Sequence, residues 1–133
     1  MKKRLRIGMI GGGIGGQVGK WHRHAMSLDN KYELVAGCFS SNIENGINSA
    51  NELGIDLSRN YPDFDTMATK ESEREDGIQV VSIVTPNHLH AQPSIKFLSK
   101  NIRRLTKGLF EKKQCTKNIQ NDNKPMTVRN VMT

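Results

Sequence analysis

Apolar residues along this chain fall into short blocks, separated by stretches in which they recur at helical spacing. Leu5 to Ile10 is a largely apolar run that ends in glycines, the pattern of a strand buried on both faces. From Ile14 to Leu28, the residues Val18, Trp21, Ala25 and Leu28 recur at helical spacing and predict a helix, which Asp29-Asn30 ends as a turn. Glu33 to Phe39, built around Leu34-Val35-Ala36, predicts a second strand. Ser41-Asn42 offers a cap for a helix from Ile43 to Leu53, with Gly54 at its C-terminal end. Arg59 to Pro62 is a short extended piece at best, because Pro62 cannot donate to a central ladder. Asp63 caps a helix running to about Arg74, and Asp76-Gly77 is a turn. Ile78 to Val84 is the strongest strand signal, broken by Thr85-Pro86-Asn87. A last helix starts near Gln92, tolerates Pro93 at its beginning, and shows Ile95, Phe97 and Leu98 on its apolar face until about Lys100.

The order β-α-β-α-(β)-α-β-α predicts an α/β fold, a Rossmann-like doubly wound parallel sheet with helices on both faces. From Arg103 the periodicity ends. The fold calls for another buried strand there, and Arg103 to Gly108 does not have the pattern of one. Residues 1–102 are therefore expected to form the folded domain and residues 103–133 a basic, irregular tail. The sheet would be incomplete, with an exposed edge open to association.

Composition narrows the function. A chain of 133 residues with 35 % apolar residues supports one modest core and excludes a complete two-domain enzyme. The net charge of +7 is uneven: residues 1–102 carry 12 Lys/Arg against 11 Asp/Glu, whereas residues 103–133 carry 8 against Glu111 and Asp122. The high isoelectric point thus reports the tail. Nucleic acid is not the expected partner, because the tail offers only Phe110 for base stacking. No run of about 18 apolar residues marks a membrane span. Lys2, Lys3, Arg4 and Arg6 precede an apolar stretch too short and glycine-rich for a signal peptide, so a cytoplasmic protein is expected. Cys38 and Cys115 form no C-x-x-C pair, which argues against a disulfide framework and a cysteine zinc site. His22 and His24 point in different directions on a helix, so no metal site is expected there.

Gly11-x-Gly13-x-x-Gly16 follows a predicted strand and opens a predicted helix, the context in which this motif binds a dinucleotide. The first glycine makes the tight turn, the second lets the backbone approach a pyrophosphate, and the third lets helix and strand pack closely. Ile14 lies in the same loop, and the helix N-terminus faces the phosphates. The end of the second strand should carry an acid for the adenosine ribose, but reads Cys38-Phe39-Ser40-Ser41-Asn42. Ser40 and Ser41 are the candidate ribose contacts. With no acid to repel a 2′-phosphate and no Arg beside it, NAD and NADP both stay open.

Thr85-Pro86-Asn87-His88-Leu89-His90 sits at the C-terminal end of the best strand, where open α/β sheets bind ligands. Together with Ile7-Gly8-Met9-Ile10-Gly11-Gly12-Gly13, the Phe39-Ser40-Ser41 strand end, and Tyr61 with its following helix, this turn resembles the N-terminal half of a Gfo/Idh/MocA oxidoreductase, the glucose–fructose oxidoreductase and inositol dehydrogenase type. The resemblance covers about residues 5–102. It implies an NAD(P)-binding domain from an enzyme that moves hydride to or from sugars, inositols or related polyols. It also implies that Thr85, Pro86, Asn87 and His90 line the nicotinamide end of the cofactor site. The family's next strand ends in a Glu-Lys-Pro or Asp-Lys-Pro segment, whose lysine should fall near Gly108 and is not there. Lys124-Pro125 resembles it only with an insertion of about 16 residues. The family's C-terminal substrate domain is also missing. The expected explanation is a truncated or frameshifted gene whose product has no turnover of its own. The alternatives are a non-catalytic dinucleotide-binding module and, less favoured, a nucleic-acid-associated protein using its basic tail.

Overall fold

The computed structural model describes residues 3–106. Among them, four strands form one parallel sheet: β1 (Leu5–Ile10), β2 (Tyr32–Cys38), β3 (Val80–Ile83) and β4 (Arg103–Thr106), in the order β2-β1-β3-β4. The helices are α1 (Gln17–Leu28), α2 (Ile43–Glu52), α3 (Phe64–Glu73) and α4 (Ala91–Ser99), with 3-10 turns at Leu57–Arg59 and Asn87–Leu89. Two helices start where the sequence supplies caps. Asn42 Oδ1 accepts from the Asn45 N–H at 3.0 Å, and Asp63 Oδ1 accepts from the Thr66 N–H at 2.7 Å. The expected extended piece shrinks to one bridge, Gly37 to Asn60, beside the Leu57–Arg59 turn.

Successive strand residues point to opposite faces, so the neighbours Met9 and Ile10 enter different cores. Ile10 packs with Ala36, Val81 and Ile83 against Met67 and Ala68 of α3 and Phe97 of α4. Met9 and Phe39 pack with Ala50 of α2, and Met26 of α1 borders that cluster. Helices therefore cover both faces of the sheet, which is why β1 and β3 read as nearly unbroken apolar runs.

Two expectations need correction. The strand judged absent after Ile102 is present: β4 pairs in parallel with β3, Val80 opposite Arg103 and Val81 opposite Arg104. Among the described residues β4 lies at the edge of the sheet, a position that suits its polar Arg103-Arg104. Buried Ile102, just before it, supplies an apolar anchor. The folded unit thus runs past residue 102, and the edge beyond β3 is occupied. The second correction concerns α1. The helix exists, but its apolar stripe is not its buried face: Trp21 is 59 % and Leu28 70 % exposed. Gly19, His22 and Met26 turn inward instead. A Cβ on Gly19 would lie 2.4 Å from Gly12 Cα, so this glycine alone fits the contact, and it fixes the rotation of the helix.

One buried polar cluster joins three segments. The Glu71 carboxylate on α3, 1 % exposed, accepts from Arg59 Nε at 3.0 Å, Arg59 Nη2 at 2.6 Å, the Tyr61 hydroxyl at 2.7 Å and the Ile78 N–H at 3.0 Å. Burial, and then the bond to this carboxylate, push the Tyr61 phenol up from its ordinary range. Removing one partner of a buried ion pair costs about 3–5 kcal/mol because the other charge stays buried. Glu71→Ala should lower stability by about that much in urea unfolding. A loss below about 1 kcal/mol would show that Arg59 finds other solvation and that the cluster does not hold the fold.

Candidate functional site

The strand order reverses between β1 and β3, so the chain leaves the carboxyl ends of these neighbours in opposite directions and opens a crevice between them. The Val84 N–H donates to the Ile10 carbonyl at 2.9 Å, which sets the two strand ends level. Past that point the glycine loop leaves β1 and the Thr85 turn leaves β3. A Cβ on Gly11 would sit 3.1 Å from Thr85 Cγ2 and 3.2 Å from Thr85 N, so the two loops touch at the crevice floor.

The glycine loop depends on positive φ at Gly11 (73°), Gly12 (68°) and Gly15 (93°), conformations costly for residues with a side chain. The Gly11 N–H donates to the Cys38 carbonyl at 2.8 Å, closing the turn onto β2. Gly13 is hemmed in: a Cβ there would stand 3.0 Å from Ser49 Oγ and 3.1 Å from the Phe39 carbonyl. The Ile14 N–H is already taken by Ser49 Oγ of α2 at 3.0 Å, and the Gly16 N–H by the Gly13 carbonyl at 3.1 Å. The Gly13 N–H makes no hydrogen bond among the described residues. With the first-turn amides of α1, it is a donor that can meet an anion.

Gly16 caps α1, but a Cβ on it would meet only the Gly13 carbonyl, at 3.2 Å. The close helix packing expected of Gly16 falls instead to Gly12 and Gly19, and reading the motif alone misses both. Gly19 did leave a signal, since a glycine inside a helix costs about 1 kcal/mol and points to a packing reason. Ser49 left none. Arg23 was missed as well: its Nη1 donates to the Gly12 carbonyl and lies 3.7 Å from Met9 Sδ. Burial draws its pKa down, and Glu52 opposes that shift.

At the end of β2, Ser40 Oγ accepts from the Asn42 N–H at 3.1 Å, and Asn42 caps α2. Ser41 and Glu44 are exposed. The Ser40 hydroxyl keeps its own proton to donate, so Ser40 and Ser41 are the polar groups on offer here. A polar cleft lined by Ile14, Asn45, Asn48, Ser49, Asn51 and Glu52 runs beside the loop along α2.

On the β3 side, Pro86 and Asn87 are exposed at the rim. Thr85 Oγ1 is buried with no hydrogen-bond partner among the described residues, an orphaned polar atom beside Gly11 that suits a ligand group. His90 does not stand in the crevice. It is 2 % exposed, and its Nε2 meets the Thr85 carbonyl, while Ser94 Oγ donates to the His90 carbonyl at 2.6 Å. It staples the turn from beneath. His22, in the H-x-H pair, faces Ser82 Oγ on β3 at 2.9 Å.

Residues 5–112 match the model of the oxidoreductase family with an NAD-binding Rossmann fold, Gfo/Idh/MocA. The chain belongs to that family. It is 45 % identical over 91 residues to an uncharacterized oxidoreductase, YfiI, of Bacillus subtilis, a match covering 68 % of this chain and 23 % of that protein. An oxidoreductase structure from Sinorhizobium meliloti aligns at 42 % identity with a TM-score of 0.79, covering 90 % of this chain and 33 % of that one. An inositol dehydrogenase homolog from Azotobacter vinelandii, complexed with NADH and myo-inositol, aligns at 32 % identity with a TM-score of 0.80, covering 92 % and 34 %. The chain therefore spans about a quarter of the curated relative and about a third of these structures. What it contains is the family's NAD-binding Rossmann domain, and the described residues include no helix long and apolar enough to cross a membrane.

Two measurements test this geometry. Gly19→Ala should cost about 1–3 kcal/mol in urea unfolding, because the added methyl overpacks a backbone contact. Gly15→Ala, with nothing within 4 Å of the new atom, should cost only its positive-φ strain, about 1 kcal/mol. The reverse order would show that the helix does not rest on Gly12. Burial, and then Asp63, raise the Cys38 thiol to about 11. In a Cys115→Ser background, Cys38 should therefore react with a disulfide reagent at pH 8 about a hundredfold more slowly than an ordinary thiol. An ordinary rate would place Cys38 at the surface.

Proposed function

We propose that this chain binds NAD or NADP in the crevice between the Gly11–Gly16 loop and the Thr85–His90 turn, as the cofactor-binding part of an oxidoreductase acting on sugars, inositols or related polyols. The observation that carries this reading is the pair of vacant polar groups at the switch point, the Gly13 N–H and the buried Thr85 Oγ1. A bound nicotinamide dinucleotide supplies a carbon that accepts or donates hydride. The chain's part is to hold and orient it. Gly13 and the first turn of α1 meet the pyrophosphate, Ser40 and Ser41 the adenosine ribose, and Thr85, Pro86 and Asn87 the nicotinamide side. His90 fixes the path of that last turn.

The inositol dehydrogenase homolog bound to NADH and myo-inositol supports a polyol as the substrate class of an intact relative. Hydride transfer also needs a positioned substrate and an acid or base for its hydroxyl proton. The described residues place neither beside the crevice, and Gly108, where the family's lysine is expected, lies outside them. The chain alone is thus proposed to hold the cofactor without turnover. The absence of an acid at the β2 end leaves NADP acceptable.

Calorimetric titration of the purified chain with NADH and NADPH tests this. Micromolar binding of at least one is expected, lost in Gly13→Val, with no reduction of NAD by myo-inositol. A folded chain that binds neither would overturn the proposal, and turnover with a polyol would overturn its second half.

A further inference from the structure

We infer that Arg23 is a positioning residue of the cofactor site, aiming the Gly13 N–H into the crevice by holding the carbonyl of the same peptide unit. This rests on the proposed dinucleotide site. A trans peptide directs its C=O and its N–H to opposite sides. The peptide joining Gly12 and Gly13 has its carbonyl engaged by Arg23 Nη1 and its N–H without a hydrogen bond among the described residues. Whatever fixes that carbonyl also fixes where the free donor points.

The loop needs such a tether. Gly12 has φ 68° and no side chain, so little within the residue resists rotation of the peptide plane. Three other amides of the loop are anchored: Gly11 donates to Cys38, Ile14 to Ser49 and Gly16 to Gly13. The 12–13 peptide lacks any such anchor on its N–H side, and the Arg23 contact supplies the one on its carbonyl side. Arg23 is itself placed by the core, with Nη1 3.7 Å from Met9 Sδ. Because α1 is locked in rotation by Gly19 against Gly12, the guanidinium reaches the loop from a fixed direction.

Arg23→Met keeps the length of the side chain and removes the donor, whereas Arg23→Lys keeps a charge and one donor. The full chain is followed by the amide resonances of its glycines and by titration with NADH and with adenosine, which lacks phosphate. In Arg23→Met the Gly13 amide resonance should move while Gly46, in α2, stays in place. NADH should bind about tenfold more weakly and adenosine unchanged, and Arg23→Lys should recover part of the loss. Equal losses for NADH and adenosine, or full NADH affinity in Arg23→Met, would overturn the inference. If the unaltered chain binds no NADH, it is the proposed function that fails. The Gly13 resonance then decides Arg23 alone: movement confined to the loop upholds the tether, and no movement ends it.

Discussion

The Glu71 carboxylate governs where the two halves of the site meet. It receives the Ile78 N–H just before β3, and it ties that point to Arg59 and Tyr61, which follow β2. β3 is short, with Val80 opposite Ile7 and Ile83 opposite Ile10. A slip of one residue at its start would carry Thr85 about 3.3 Å along the strand and turn its side chain to the other face. Thr85 would then no longer abut Gly11. A buried charge some way from the crevice thus sets the register on which the crevice depends. The cost of burying it is offset by four hydrogen bonds and one paired guanidinium, so no oxygen of that carboxylate is left unsatisfied.

The glycine loop meets a second constraint of the same kind. The approach of Gly19 to Gly12 leaves no room for a methyl group, and it sets how α1 is turned. That rotation brings Met26 to the core, His22 to Ser82 and Arg23 back to the loop. It also leaves Trp21 and Leu28 outside. The helix leaves two large apolar residues uncovered, each worth about 1.5–3 kcal/mol if buried, to keep its N-terminus against the glycine loop. Backbone proximity decides the packing here, and side-chain hydrophobicity follows.

How much of this was legible in the sequence follows from the same physics. Elements whose identity rests on local chemistry were readable: the apolar runs of β1 and β3, the Asn42 and Asp63 caps, and the glycines of the turn. β4 was not, because an edge strand in a parallel sheet takes its stability from its neighbour and from Ile102 before it. The exposed stripe of α1 was not, because spacing reveals that a helix forms and leaves open which face the tertiary structure selects. The candidate site divides the same way. Gly11, Gly13, Ser40, Ser41, Thr85, Pro86 and Asn87 lie on the loops where the motif places them, while the role of His90 depends on burial that no motif encodes. Ile14 and Gly16 keep their places in the loop, but with amides already committed within the protein.

The described residues build one wall of the proposed cofactor crevice and not a facing one. The glycine loop, the β2 end and the Thr85 turn all rise from the carboxyl edge of a single sheet, and each is held from below or behind: Cys38 under Gly11, Ser49 behind Ile14, His90 beneath Thr85. Nothing among them reaches over the crevice to press a substrate against it or to take a proton. Binding a dinucleotide requires only donors fixed at one edge. Chemistry requires a second set of groups fixed relative to the first. The relatives, about three times as long, have the chain to supply that second set. The supports of this wall are local to it, running through Glu71, Gly19 and Arg23, all within the residues that form the sheet and its helices.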